Sequence, residues 1–217
     1  DKNKAVDPAA YYHMKRVVKH HKDMLPYVVS WNGSLFTYFF SHCWIDYRHL
    51  AADDPAAFGQ PGPAVDWFEN SRRATLTHRQ RCIEMSDKFP TLGENRWGYS
   101  PCTYKEHYYV AEVQPNIMKR DDWMHGVIAP YAAGSAIMFT PVESLAALRE
   151  FKSVRDPAGK PITWRDPEKG GYAFSDSFTL DPPYGHAENL GIDAGPLLLA
   201  VENARSGLVW KLFMQHD

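Results

Sequence analysis

The chain has 217 residues and a formal charge of −2, with 44% apolar and 23% charged positions, a balance typical of a globular chain long enough to bury a core. It carries no basic stripe and no run of five like charges, which argues against nucleic acid or an anionic membrane as partner. No run of about 18 apolar residues occurs, so no membrane-spanning helix is predicted.

Taken in chain order, the first signal is Asp7-Pro8. Aspartate is a strong N-cap and proline is harmless in the first helical position, so a helix is predicted from there to Leu25, stopped by Pro26. Met14, Val17, Val18, His21, Met24 and Leu25 would share its buried face. A second helix is predicted from about Ser34 to Ala52, burying Leu35, Tyr38, Phe39, Trp44 and Ile45. The third, Val65 to Lys88, is more polar and is expected on the outside of the fold. Phe89 to His125 holds no period and reads as a long loop, and long ordered loops often carry function. Helix signals return at Ala129-Pro130-Tyr131. Thr140-Pro141-Val142-Glu143 reads as a capping box that opens a helix to about Ser153. Arg155 to Gly171 is a charged connection, and Tyr172 to Leu180 a short extended piece. Gly191-Ile192-Asp193 opens the last helical region, with Asp193 read as an N-cap, and Ser206-Gly207 interrupts it before Leu208. The class is mainly α, in a single domain over residues 1–217.

Chemistry-bearing residues are then few. Aromatics reach 14% of the chain; most belong in a core, and the excess suits a flat stacking ligand such as a sugar ring. Segments bearing glycine or proline precede successive helices: Trp31-Asn32-Gly33-Ser34, Trp97-Gly98, Ala129-Pro130 and Gly191-Ile192. In antiparallel helical pairs alternate helix starts lie at one end, so these segments are expected to converge on one mouth. Cys43, Cys82 and Cys102 match neither a zinc nor a redox spacing. The histidines show no metal spacing, and no nucleotide, phosphate or nucleophile-elbow fingerprint is present, so no metal and no cofactor are predicted. Asp1-Lys2-Asn3-Lys4 does not read as a secretory signal. Glu202, in an otherwise apolar helix, is expected to pair with Arg205.

Four spaced segments, WNGSLFTYFF (31–40), GVIAPYAAGSAIMFTP (126–141), GYAFSDSF (171–178) and GIDAGPLLLAVENARSGLVWKLFM (191–214), together with WFENSRRA (67–74) and WGYSPC (97–102), resemble the glucoamylase-like domain of the endo-β-1,2-glucanases of glycoside hydrolase family 144. The resemblance implies an (α/α)6 toroid, the six-hairpin glycosidase arrangement, around a sugar-binding cleft. It implies hydrolysis of β-linked glucan or β-glucosides by carboxylate acid/base catalysis. The chain holds about half the helices of such a toroid, so it reads as the C-terminal half of a larger one, completed by an N-terminal segment or a partner subunit. An uncovered half would expose a broad apolar face. The family setting favours a periplasmic or secreted protein.

The same resemblance directs attention to Asp176 of FSDSF as the catalytic carboxylate, with Trp31, Ser34, Thr37, Trp67, Asn70, Trp97, Tyr131 and Phe174 as substrate-binding positions. Two departures stand out. Thr37 occupies a position where the family usually has glutamate, and Ser100-Pro101-Cys102-Thr103 brings no carboxylate until Glu106. Threonine can hydrogen-bond a hydroxyl group, but it is neither a carboxyl acid nor a carboxylate base. A relative that binds carbohydrate with impaired catalysis, or one that acts on another sugar or by transfer, is therefore the alternative reading. Glycoside hydrolysis needs two carboxyl groups flanking one bond, so a second one is expected from outside this chain.

Overall fold

The computed structural model describes residues 5–118 and 125–215; the part of the predicted loop at 119–124, and the first four residues, lie outside them. The fold is mainly helical. Its longer helices are α3 (Trp67–Glu84), α5 (Pro141–Ser153) and α6 (Gly191–Ser206), and shorter ones are α1 (Pro8–Tyr12), α2 (Phe36–Phe39), α4 (Pro130–Ser135) and α7 (Leu208–Phe213). Among the described residues, four antiparallel two-stranded ribbons fill the connections: β1 (Val18–Lys19) with β2 (Tyr27–Val28), β3 (Cys102–Tyr104) with β4 (His107–Tyr109), β5 (Trp164–Arg165) with β6 (Ala173–Phe174), and β7 (Phe178–Leu180) with β8 (Pro183–Gly185).

The second half follows the sequence reading closely. Helix α5 starts at Pro141 as predicted, although the Thr140 hydroxyl turns back to the Ala136 carbonyl at 3.3 Å and makes no side-chain cap. Helix α6 ends at Gly207, whose φ of 67° gives the left-handed stop that glycine favours, and α7 begins at once. Glu202 pairs with Arg205 at 3.2 Å, one turn on. Tyr172 to Leu180 holds two short strands. The core is built on α4, every residue of which is buried, packed between α5 and α6. Gly134 makes this approach possible, since a Cβ there would meet Leu197 Cδ1 at 2.4 Å.

The first half departs from the reading, and the cause is tertiary. The helix predicted from Asp7 to Leu25 is capped by Asp7, which accepts the Ala9 N–H at 2.8 Å, but it ends at Tyr12. Arg16 is drawn to Asp53 at 3.0 Å, and Val17 to Lys19 pair with Tyr27 to Val29 instead. The helix predicted over residues 34–52 is broken into α2 and two 3-10 turns, Ser41–Cys43 and Tyr47–His49. Two carbonyls that would extend it are taken from outside: Trp210 Nε1 donates to His42 O, and Asn203 Nδ2 to Cys43 O at 2.9 Å. Asp46 then grips Arg48 Nε at 2.7 Å and its own turn's N–H at 3.2 Å. Trp44, expected inside, is 37% exposed. Helix α3 has the predicted span to within a few residues, but it is not an outer helix. Its polar residues Asn70, Ser71, Thr75, Thr77 and His78 are buried.

Candidate functional site

The candidate side chains line two cavities, although the segments expected at one mouth do approach one another: Ser34 meets Ser100, Ser100 meets Tyr131, and the Ala129 N–H donates to the Gly98 carbonyl. The larger, about 780 Å³, lies between α2, α3 and the segments around Tyr12 and Phe58; Thr37, Trp67 and Asn70 line it. The smaller, about 410 Å³, lies between α4, the β6–β7 connection and the start of α6; Tyr131, Phe174 and Asp176 line it, with Asp193. Trp31 is 58% exposed and lines neither. Trp97 is wholly buried in the core, with Gly98 beside it at φ 125° packed on the backbone of Ala129 and Ala133.

The smaller cavity is the richer in acid/base chemistry. Ala173, held in the left-handed region at φ 63°, an uncommon conformation for a residue with a side chain, turns the chain between Tyr172 and Phe174. Asp176 follows in the connection to β7 and is buried; its Oδ2 accepts the Thr103 N–H at 2.6 Å. Asp193 reaches the same point from the first turn of α6. It is not an N-cap: the capping position is Leu190, whose carbonyl takes the Asp193 N–H at 3.1 Å. Its buried carboxyl instead lines the same cavity as that of Asp176. Burial first, then the neighbouring Asp176, push Asp193 up to about 8.

Tyr131 completes the polar floor. Its hydroxyl lies 2.8 Å from Ser100 Oγ and 2.6 Å from the Pro101 carbonyl, and Ser34 Oγ is 3.3 Å from Ser100. Burial and the nearby Asp193 hold the phenol well above its usual range, hence neutral. Thus Ser34, buried rather than open to a ligand, is tied through Ser100 and Tyr131 to the carboxyl pair. The walls are apolar: Trp164 and Phe174 meet edge to face at 5.0 Å, and Leu197, Leu198 and Val201 of α6 face them.

Sequence reasoning missed the pairing of Asp193. Nothing in the spacing of positions 176 and 193 announces it, because a ribbon and a loop separate them. An aspartate three residues into a helix, too late to cap it, is the signal that was available.

In the larger cavity Thr37 Oγ1 donates to the Ser34 carbonyl at 2.8 Å and is exposed at the rim. Trp67 Nε1 donates to Asp53 Oδ2 at 2.8 Å. Asn70 accepts the Val28 N–H at 2.7 Å and donates back to the Val28 carbonyl at 3.3 Å, clasping β2 to α3. Glu69, on the same first turn of α3, pairs with Arg73 at 2.8 Å.

Comparison with known proteins decides the family. The Glycoamylase family model, described as "Putative glucoamylase", matches residues 2–217. The chain belongs to this glucoamylase-like family. An exo β-1,2-glucooligosaccharide sophorohydrolase (non-reducing end) of Parabacteroides distasonis is 29% identical over 188 residues, which are 87% of this chain and 23% of that protein. Among solved structures, an endo-β-1,2-glucanase from Chitinophaga pinensis in complex with sophorotriose and glucose matches with a TM-score of 0.71 and 26% identity, over 94% of this chain and 44% of that one. A β-1,2-glucanase from Parabacteroides distasonis, at 23% identity and a TM-score of 0.64 over 84% of this chain and 23% of that chain, shares the fold. The likeness to the endo-β-1,2-glucanase-related domain read from the four sequence segments is therefore met, and the chain spans less than half the length of each of these relatives. Among the described residues no helix is long and apolar enough to cross a membrane.

Proposed function

We propose that the protein containing this chain is a glycoside hydrolase acting on β-linked glucan, with β-1,2-linked glucose chains as its substrate class, and that Asp176 and Asp193 handle the proton in its cleft. The observation that carries the reading is the buried carboxyl pair at the foot of an aromatic-walled pocket. At neutral pH Asp193 retains its proton and can give it to the oxygen of a leaving sugar, and the Thr103 N–H holds Asp176 as its acceptor partner. Phe174 and Trp164 offer ring faces to a pyranose, and the Tyr131 hydroxyl is a neutral donor beside the pair.

Asp176 and Asp193 line one side of a single pocket, close enough for the charge of Asp176 to act on Asp193, whereas a glycosidase places its two carboxyls on either side of the bond, roughly 5–5.5 Å apart when retaining and roughly 6.5–9.5 Å when inverting. The pair therefore acts as one unit on one side of the glycosidic bond, and the opposing carboxylate comes from outside this chain. This fits the proposal that residues 1–217 form one domain's worth of structure that is the C-terminal half of an (α/α)6 toroid. Helix α6 is apolar around much of its circumference, with Ile192 62% and Leu198 69% exposed, and Leu212 and Phe213 of α7 continue that face beside Trp44. The remaining helices of the longer protein cover it. A glucan polymer cannot diffuse through a membrane, so this reading places the enzyme in the periplasm or outside the cell.

The test is reducing-sugar release from β-1,2-glucan and from β-glucans of other linkage by the full-length protein, with Asp176→Asn and Asp193→Asn. Loss of a positioned acid or base costs about 10²- to 10⁴-fold, so each variant should fall by at least that lower figure while still folding. Undiminished turnover in Asp176→Asn removes the pair from the mechanism. A second reading, a carbohydrate-binding relative with impaired catalysis, draws on Thr37, which puts no carboxyl at the position where the family usually has one. Saccharide binding without turnover by the wild type would favour it.

A further inference from the structure

Thr103 holds Asp176, and the register of its hairpin explains why its backbone is free to do so. Strands β3 and β4 are joined by Lys105 and Glu106 alone, with Tyr104 opposite His107 and Thr103 opposite Tyr108. Across a two-residue turn the first facing pair exchanges both ladder hydrogen bonds, so the next pair exchanges none. The Thr103 N–H and carbonyl therefore point away from β4, onto an open edge where a third strand would otherwise pair.

Two consecutive side chains fill that edge. Asp176 Oδ2 accepts the Thr103 N–H at 2.6 Å, and the Ser177 hydroxyl donates to the Thr103 carbonyl. An acceptor meets the donor and a donor meets the acceptor, as an opposing backbone residue would supply. Ser177 is fully buried. The backbone around it is anchored independently of the hairpin: the Ser175 N–H donates to Thr163 O at 2.8 Å, the His186 N–H to Ser177 O at 2.9 Å, and the Phe178 N–H to Ile128 O at 2.9 Å. Residues 175–178 thus form a fixed post, and the Ser177 hydroxyl fastens the hairpin to it at a second point. With the Asp176 contact alone the hairpin could pivot; with both, the carboxyl has one setting. Asp176 Oδ1 is buried and makes no hydrogen bond among the described residues, so the Thr103 contact sets the plane of the carboxyl.

We infer that Ser177 is a positioning residue of the cleft: by tying the Thr103 carbonyl to the fixed segment, it sets the distance and angle at which Asp176 faces Asp193 and a bound sugar. The effect on turnover rests on the hydrolase reading, whereas the effect on Asp193 rests on the clasp alone.

Asp193 reports the position of Asp176. The titratable groups acting on it or feeling its charge are Asp176, Tyr131 of α4, Cys102 of β3 and Tyr108 of β4. Desolvation, with the acidic neighbours, raises both phenols and the thiol, so all three are neutral near pH 8. Among these groups Asp176 is the charge that acts, and moving it away lowers the pKa of Asp193 from about 8.

The test measures kcat and KM for reducing-sugar release from β-1,2-glucan across pH, in the full-length protein with Ser177→Ala, Ser177→Thr and Asp176→Asn. Misplacement of a reacting group costs up to about 10²-fold, so Ser177→Ala should lose about 10- to 100-fold in kcat per folded molecule, with KM within about twofold. The alkaline limb of its kcat/KM profile, set by loss of the Asp193 proton, should fall below the wild-type position near pH 8. Ser177→Thr keeps the donor and should restore both. A serine that only fills space would change stability and leave kcat and the limb alone. Wild-type kcat and limb in folded Ser177→Ala therefore overturn the inference, as does a folded Ser177→Thr that stays as slow as Ser177→Ala. If Ser177→Ala does not fold, Ser177→Cys, with its weaker donor, takes its place and should be intermediate; full activity there has the same consequence. Full activity in Asp176→Asn sinks the hydrolase reading instead, and melting then decides the clasp without turnover. The extra decline in wild-type melting temperature over that of Asp193→Asn, between about pH 4 and about 8, should shrink when both carry Ser177→Ala. An unchanged decline overturns the inference whatever the activity.

Discussion

Gly33→Ala is the perturbation whose cost the structure defines best. Gly33 sits at φ 75°, and a Cβ built there lies 2.0 Å from the Val113 carbonyl oxygen. Alanine in the left-handed region costs about 1–2 kcal/mol. Relieving the overlap then requires the Val113 backbone to retreat by more than an ångström, because ordinary contact begins near 3.4 Å. That segment is anchored by the Val113 N–H to Asn32 O at 2.8 Å, and by Asn116 Nδ2 to Val113 O at 3.1 Å and to Asn32 O at 3.3 Å. Weakening two of these adds roughly 1 kcal/mol each. The sum is about 3–4 kcal/mol, a large part of the ~5–15 kcal/mol that holds a domain together. At about 2–4 °C per kcal/mol for a domain of this length, the midpoint should drop by roughly 10 °C. Gly159→Ala is the control: φ is 82°, but nothing lies within 4 Å of its Cβ, so only the conformational cost of about 1–2 kcal/mol applies. Urea unfolding of both variants measures the difference. Equal losses would refute the claim that close backbone approach, rather than backbone conformation alone, makes glycine necessary in Trp31-Asn32-Gly33-Ser34.

Three further outcomes are expected. Asp193, whose folded pKa is raised above its unfolded value, contributes stability that is present below about pH 4 and lost as pH rises towards about 8; wild-type melting temperature should therefore decline across that window by several degrees more than that of Asp193→Asn, and parallel curves would mean that Asp193 titrates as an ordinary carboxyl. Asn203→Ala strips two buried hydrogen bonds, Nδ2 to Cys43 O at 2.9 Å and Oδ1 from Trp210 N at 3.1 Å, and should cost about 2–4 kcal/mol in chemical unfolding; a loss under 1 kcal/mol would mean that α7 is not held through this residue. Leu212→Arg, at a site 55% exposed here, should change the stability of residues 1–217 alone by about 0.5 kcal/mol or less. The same substitution should destabilise the full-length protein by several times that amount if other helices cover the face, and equal effects in the two contexts would argue against the toroid.

What the sequence determined by itself lies where local signals are strong and nothing contests them. Asp7-Pro8 begins a helix, Pro141 opens α5, Gly207 ends α6, and Glu202 meets Arg205, because capping, fixed proline geometry, glycine's left-handed freedom and one-turn spacing act within a few residues. The likeness in the spaced segments also carried the family. Tertiary structure alone decided the rest. Residues 34–52 have a helical pattern, yet Asn203 and Trp210, more than 150 positions away, take the carbonyls that would continue the helix. The polar face of α3 looks solvated in one dimension and is buried because Val28, His42 and Tyr99 supply partners for its side chains. Asp176 and Asp193 each resemble an ordinary turn or cap residue; only the folding of a ribbon against the first turn of α6 brings both into one pocket. Paired carboxyls and captured carbonyls depend on distances through space, and those arise only when the chain has closed on itself.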